Sequence, residues 1–222
     1  MAQLRYYGHS CFQLLQNGTS LLFDPFFSNN PLNTVNPDTI ACNYILVSHA
    51  HADHLGDTVP IAQRTGATVI SSAEIAHLCE QQDCKAHAMH IGGKHDFEFG
   101  TVRITPAFHG AGVPGGHACG FIVHFFGTIV YFAGDTSLFS DMELLGRLEK
   151  IDYALLPIGD NYTMGPADAV EAVGMLKPRI VIPIHYNTWP LIAQSPEKFK
   201  AAVEARFPTL VQILPPGGTL AL

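Results

Sequence analysis

Seven residues constrain this chain more than any others: Ser48-His49-Ala50-His51-Ala52-Asp53-His54. Three imidazoles and a carboxylate follow directly behind the apolar run Asn43–Val47, which reads as a buried strand. Ionisable side chains seldom gather against a buried strand unless they are paired or bind a metal. A zinc-like divalent ion needs nitrogen and anionic oxygen donors that converge from short, stiff backbone. His49 and His51, two residues apart at a strand end, project to the same face. Asp53 and His54 lie further round the turn and are positioned to serve a second ion. A solvated histidine-rich turn is the competing reading, and three further residues weigh against it.

His109 follows the apolar run Val102–Phe108, Asp135 follows Thr128–Gly134 and His185 follows Ile180–Ile184. Each alone has an ordinary explanation, such as a satisfied buried histidine or, for Asp135-Thr136-Ser137, a helix N-cap. Together they share one position with the first motif, the carboxyl end of a strand, where α/β sheets place their sites.

The pattern along the chain supports that arrangement. Short apolar runs at Leu4–Tyr7, Phe12–Leu15 and Ser20–Phe23 read as strands, with Asn17-Gly18 as a type I′ hairpin turn. A helix over 57–65 stops at Gly66, a short strand covers Thr68–Ser71, and a helix covers 73–81. Two hairpins turn at Gly100 and Gly127. Helices at 140–148, 167–176 and 196–206 then alternate with strands at Tyr153–Leu156, Ile180–Ile184 and Leu210–Leu214. Hairpins followed by βα units, given twice, predict two mixed sheets covered by helices, an α/β sandwich of layers. No linker, repeat or low-complexity run divides residues 1–222, so a single domain is expected.

Composition narrows the function. The chain has 222 residues, 47% of them hydrophobic and 14% charged, which excludes a disordered chain. Lys and Arg number 12 against 19 Asp and Glu, a formal charge of -7. That argues against binding nucleic acid through a broad basic face. The longest apolar stretch, Cys119–Gly134, is interrupted by His124, Gly127 and Thr128 and is too short to span a membrane. The first residues carry no basic-then-apolar signal pattern, and five Cys suit reduced thiols, so a cytoplasmic location is expected. Cys11, Cys79 and Cys84 read as packing residues. The twelve His equal Lys and Arg combined. Five of them, His49, His51, His54, His109 and His185, stand at positions suited to metal ligands, while His77, His87, His90, His95 and His124 have no such role.

The ordered set His49-x-His51-x-Asp53-His54, His109, Asp135 and His185 resembles the metallo-β-lactamase superfamily of binuclear metallohydrolases. The likeness runs over nearly the whole chain. Gly8-His9-Ser10-Cys11, Asp24-Pro25-Phe26, His90-Ile91-Gly92-Gly93, Leu156-Pro157-Ile158-Gly159-Asp160-Asn161 and Pro183-Ile184-His185-Tyr186-Asn187-Thr188 look like one branch of it. That branch is the L-ascorbate-6-phosphate lactonase-like group of metal-dependent hydrolases. The resemblance implies a four-layered αββα sandwich with two mixed β-sheets. It also implies two divalent ions, Zn ahead of Mn or Fe. His49, His51 and His109 would hold the first ion, Asp53, His54 and His185 the second, and Asp135 would bridge them. Two such ions lower the pKa of a shared water towards about 7, giving a hydroxide that attacks an ester, lactone or phosphoester. By the resemblance, many relatives are expected to carry a longer insertion where this chain has only Gly110–His117, so no substrate contacts are carried over there.

Several residues are expected to support that chemistry. Asp53 is both ligand and candidate base, and His9 could act on substrate. Asp24 could accept an N–H from a ligand histidine. The loop containing Asp160 and Asn161 opens a helix at Pro166 and offers N–H groups to an anion. Asn187 and Trp189 could form a wall. The expected partner is a small, anionic substrate, with no nucleic acid and no membrane. Phe26, Phe27 and Trp189 suit either a pocket rim or a self-association face. The competing functions are a nuclease or phosphodiesterase of the same superfamily, or a metal-binding regulatory protein without turnover.

Overall fold

The computed structural model describes residues 2–222 and contains two seven-stranded sheets. The first runs β14-β1-β2-β3-β4-β5-β6. Its strands are β1 (Gln3–Gly8), β2 (Cys11–Gln16), β3 (Thr19–Phe23), β4 (Tyr44–Leu46), β5 (Thr68–Ser72), β6 (Lys85–Met89) and β14 (Thr219–Ala221). The second runs β13-β12-β11-β10-β9-β8-β7. It contains β7 (Lys94–Phe97), β8 (Gly100–Pro106), β9 (Cys119–Phe125), β10 (Thr128–Phe132), β11 (Tyr153–Pro157), β12 (Ile180–Ile184) and β13 (Leu210–Val211). In each sheet an antiparallel half passes into a parallel half, at β3–β4 and at β10–β11. Both sheets are therefore mixed, as the hairpin-then-βα pattern predicts.

The sheets face each other across an apolar core. Leu4, Phe12, Leu14, Phe23 and Leu46 from the first meet Val102, Phe121, Val123, Phe132 and Leu155 from the second. Phe12 stacks on Phe23 at 4.2 Å, and Phe132 meets both rings edge-on at 5.3 and 5.7 Å, the offset and T-shaped geometries aromatic rings prefer. Helices cover the outer faces. α2 (Thr58–Thr65) and α3 (Ala73–Glu80) pack on the first sheet through Ile61, Ala62, Ile75 and Cys79. α4 (Asp141–Leu148), α5 (Pro166–Leu176) and α6 (Pro196–Glu204) cover the second through Met142, Leu145, Val170, Val173 and Phe199. The order is helix, sheet, sheet, helix, the αββα sandwich implied by the resemblance.

Local chemistry explains most boundaries. Asn17 and Gly18 both have positive φ, 54° and 81°, as a type I′ turn requires. Gly66 ends α2 in the left-handed conformation with its N–H on the Ala62 carbonyl. Two strands have no clear signature in the sequence. β6, Lys-Ala-His-Ala-Met, buries only its last residue, and β14 pairs only with β1. Both are edge strands, where one free side relaxes the demand for β-branched apolar residues. The motif itself contains one further helical turn, α1 (Ala52–Leu55). Among the described residues no helix is long and apolar enough to cross a membrane.

Candidate metal centre

Strands β1, β3, β4, β8, β10 and β12 all end at one rim, where the two sheets meet. Backbone hydrogen bonds lock the rims together. The Cys119 N–H donates to the Ser48 carbonyl at 3.0 Å, the Ala50 N–H to Ala111 at 2.8 Å, and the His185 N–H to His9 at 2.9 Å. Residues that follow these strands in sequence are thereby turned into one space.

The turns are tight. His9, Asp24 and His185 are non-glycine residues in the left-handed region, at φ 57°, 39° and 53°. Each conformation costs roughly 1 kcal/mol, and such strain persists where surrounding packing enforces it. Here it swings a side chain off the strand end and inward. Gly134, at φ 62°, does the same for Asp135, and a Cβ there would lie 2.7 Å from the Cys119 carbonyl and 2.9 Å from Ser48 Cβ.

Two clusters of donor atoms result. His49 Nε2 lies 3.0 Å from His51 Nδ1, and His109 Nε2 lies 3.3 Å from the same atom. Those three nitrogens form one group, and His9, Asp53, His54 and His185 form a second. Asp135 lies between the two. Its Oδ2 is 3.0 Å from His185 Nε2, 3.3 Å from His54 Nε2 and 3.6 Å from His109 Nε2. The seven residues singled out in the sequence are therefore brought together in the structure.

The hydrogen bonds assign the histidine tautomers. Asp24 accepts from the Ser48 N–H at 2.7 Å, the Ser48 hydroxyl at 2.6 Å and His54 Nδ1–H at 2.6 Å. Because Ser48 donates its only hydroxyl proton to Asp24, its oxygen accepts from His49 Nδ1–H at 3.0 Å. One buried carboxylate thus turns the Nε2 lone pairs of His49 and His54 inward. Asp24 is the outer acceptor expected from the sequence.

The donor set fits a cation. His54 Nε2, His185 Nε2 and Asp135 Oδ1 are buried and lack a hydrogen-bond partner among the described residues. An orphaned buried polar atom costs about 1–3 kcal/mol, and three facing one space form a site a divalent ion would satisfy. The protein's own electrostatics tend the same way. Burial, reinforced by His54, holds His49 well below the usual imidazole pKa, and burial lowers His109. Burial opposes ionisation of Asp135, but His185 and His54 outweigh it and hold the carboxyl well below its usual range. Burial likewise disfavours a charged His54, yet Asp135 and Asp24 raise its pKa. A bound ion takes the neutral imidazole, so metal binding at His54 would be favoured by loss of any proton its Nε2 carries.

His9 is fully buried beside this centre. Its Nε2 is 3.1 Å from Asp53 Oδ2 and its Nδ1 is 2.7 Å from Thr188 Oγ1, while its ring lies 4.0 Å from that of His185. Burial and His185 lower its pKa to about 4, so it is neutral. Neutral His9 donates Nε2–H to Asp53 and accepts the Thr188 hydroxyl. Burial raises the Asp53 pKa, but that hydrogen bond from His9 and the nearby imidazoles pull it below the usual range.

A cleft of about 1050 Å³ opens over the centre. His51, Asp53, His109, Asp135 and His185 form its floor, and Phe26, Leu55, Tyr162 and Trp189 stand in its walls. Trp189 occupies the position expected from the sequence. Asp160, Asn161 and Asn187 do not line the cleft, which corrects their reading as substrate contacts. All three are exposed, with φ of 62°, 50° and 58°, conformations that serve the loops themselves. Asp160 Oδ1 accepts the Asn161 N–H at 2.9 Å and Asn187 Oδ1 accepts the Gln194 N–H at 2.8 Å. Asn29, Asp57 and Tyr162 do line the cleft, and none was marked by the sequence. Asp57 holds the loop wall, accepting from the Phe27 and Ser28 N–H groups at 2.9 and 2.8 Å.

A sandwich of two mixed sheets with histidines and carboxylates at a shared rim defines a class, and comparison with known proteins identifies it. Residues 19–186 match the β-lactamase superfamily domain. A UPF0173 metal-dependent hydrolase of Natranaerobius thermophilus is 49% identical over 220 residues, covering 99% of both chains. One from Symbiobacterium thermophilum is 50% identical over 223 residues, covering 99% of this chain and all of its own. The structure of Igni18, a metallo hydrolase from Ignicoccus hospitalis, superposes with a TM-score of 0.93 at 35% identity, over 99% of this chain and 97% of that one. The chain belongs to the UPF0173 metal-dependent hydrolase family of the β-lactamase superfamily.

Proposed function

We propose that this protein is a binuclear hydrolase that cleaves a small ester, lactone or phosphoester at the rim of its two sheets. The observation that carries the reading is the meeting of two donor clusters across Asp135, backed by buried nitrogens with no other partner. His49, His51 and His109 would hold one divalent ion, and Asp53, His54 and His185 the other, with Asp135 shared. Imidazole and carboxylate donors suit Zn first, and also Mn or Fe. Two bound ions would supply an activated water and polarise the substrate's oxygen.

The chain's own residues perform the remaining work. Asp24 and Ser48 hold the tautomers of His49 and His54. His9 donates to Asp53 Oδ2, the oxygen that also faces His54 and His185 at 3.7 and 3.9 Å, and so fixes how that carboxylate is presented to the centre. Trp189 and Phe26 close one wall and exclude water from the bond being cleaved. Five free, buried thiols accord with a cytoplasmic, reducing setting. The nuclease alternative has no specific support, because the cleft carries no Lys or Arg for a phosphate backbone.

The test is a metal-defined screen. Protein loaded with Zn or Mn is assayed on lactones, phosphodiesters and β-lactams, with Asp135→Ala as control. Turnover by the wild type, lost together with bound metal in the variant, supports the reading. An Asp135→Ala protein retaining two metals and normal rates would refute it, and no turnover on any class would favour a binding protein.

A further inference from the structure

The walls of the cleft specify its substrate's charge. Of the twelve Lys and Arg in the chain, none lines the cleft. None lies in any connection that follows a strand at that rim: residues 9–10, 24–43, 47–57, 107–118, 133–140, 158–165 and 185–195 hold no Lys or Arg. Proteins that recognise phosphate or carboxylate in a cleft use Arg forks or Lys, because a buried anion needs a cationic partner. The local charge balance leaves nothing to replace them. Asp53, Asp57 and Asp135 line the cleft, and Asp24 lies beneath it, fully buried. Those four carboxylates equal in number the formal charge of two divalent ions, so an anionic group remote from the ions would meet no cationic partner in the walls.

What the walls do offer is apolar surface. Phe26, Leu55 and Trp189 line the cleft, and Phe26 and Trp189 lie against each other at 6.2 Å. Two large apolar side chains that adjoin cleft residues in sequence are exposed. Phe108, beside His109, is 62% exposed and Leu191, two residues from Trp189, is 58% exposed. Ser28 Oγ is committed to Asp57 at 2.6 Å, which leaves Asn29 and the Tyr162 hydroxyl as neutral hydrogen-bonding groups in the wall. A cleft of about 1050 Å³ is at the upper end of small-molecule sites, which span about 300–1,000 Å³.

We infer that the substrate is an uncharged molecule with an alkyl or aryl body attached to the ester or lactone group, and not a phosphorylated or carboxylated one. This rests on the reading of the cleft as a hydrolase site, and it departs from the anionic substrate expected from the sequence.

Trp189 is the only tryptophan in the chain and stands in the wall, so its fluorescence reports binding without turnover. The probes are a matched, non-hydrolysable pair: a cyclopentanone carrying a hexyl chain, and the same ring with a phosphonate at the end of that chain. Both are titrated into Zn-loaded protein at low and high salt, with Trp189→Phe establishing the origin of the signal. The uncharged ketone is expected to bind at least tenfold tighter, with an affinity insensitive to salt. Tyr162→Arg, which adds a cation to the wall, is expected to raise the affinity of the phosphonate probe tenfold or more. Equal or tighter binding of the phosphonate probe by the wild type, or no response to either probe, overturns the inference. Tight binding of the ketone without hydrolysis of any matching lactone would instead overturn the hydrolase reading and leave the cleft's selectivity standing.

Discussion

Asp24 orients histidines of both candidate metal positions, one directly and one through Ser48. Replacement by Asn keeps the shape but puts an amide N–H₂ where a carboxylate accepts. Asp24→Asn is therefore expected to weaken metal binding about 10–100-fold, the range for such outer partners, as read by competition with a chromogenic chelator. His9 acts on a different quantity. It touches Asp53 and should position that carboxylate, so His9→Phe should lower kcat more than it changes bound metal, and metal content measured beside kcat separates the two effects. The thiols are the inert residues. Burial pushes Cys42 up to about 11 and Cys79 up to about 12. A disulfide reagent at pH 8 should find almost no reactive thiol in the native protein and five after denaturation.

The decisive elements are turns rather than strands. The strand-end loops bring His9, Asp24, Asp135 and His185 inward through left-handed residues, three of them not glycine. The strands were legible because their apolar runs are bounded by Gly, Asn and Pro. The left-handed turns were not, since only a few per cent of non-glycine residues adopt that conformation and, although Asp and His are enriched among them, packing decides which ones do. The same difficulty hid the loop roles of Asp160, Asn161 and Asn187, which read as site residues because they sit beside one in sequence. Gly134 tests this scale. Gly134→Ala adds a methyl group against Cys119 and Ser48 at a positive φ, and should cost about 1–3 kcal/mol. Denaturant melting would measure that loss, and bound metal should fall with it as Asp135 shifts.

At the scale of the molecule, the centre is a seam between two sheets. Ligands from β4 and its loop face ligands from β8, β10 and β12, so an ion held by both would tie the halves together. Free metal at a thousandfold excess over its Kd adds about 4 kcal/mol to the folded state. At about 2–4 °C per kcal/mol for a domain of this size, chelation should lower the melting temperature by roughly ten degrees. The buried thiols set a second dependence. Their pKa is raised on folding, so their contribution is complete below the unfolded value of about 8.5. It is lost as pH rises through the folded values, about 11 for Cys42 and about 12 for Cys79. The urea midpoint of the metal-free protein is expected to fall more steeply above about pH 8.5, where unfolded thiols ionise, than below it.

The sequence by itself determined the class of fold and singled out the candidate donors. Apolar periodicity marks strands whatever they pack against, and imidazoles and carboxylates clustered at strand ends have few uses other than a metal. It also carried the tautomer chain in latent form, as Asp24 and Ser48 at the ends of neighbouring strands. Only the tertiary structure decided that Asp135 stands between two donor groups, that His9 reaches Asp53, and that the walls contain no cation. Those facts depend on distances between loops from opposite sheets, contacts between residues up to about 180 positions apart, as in His9 and Thr188. Local sequence does not encode such distances, because they follow from how two sheets meet.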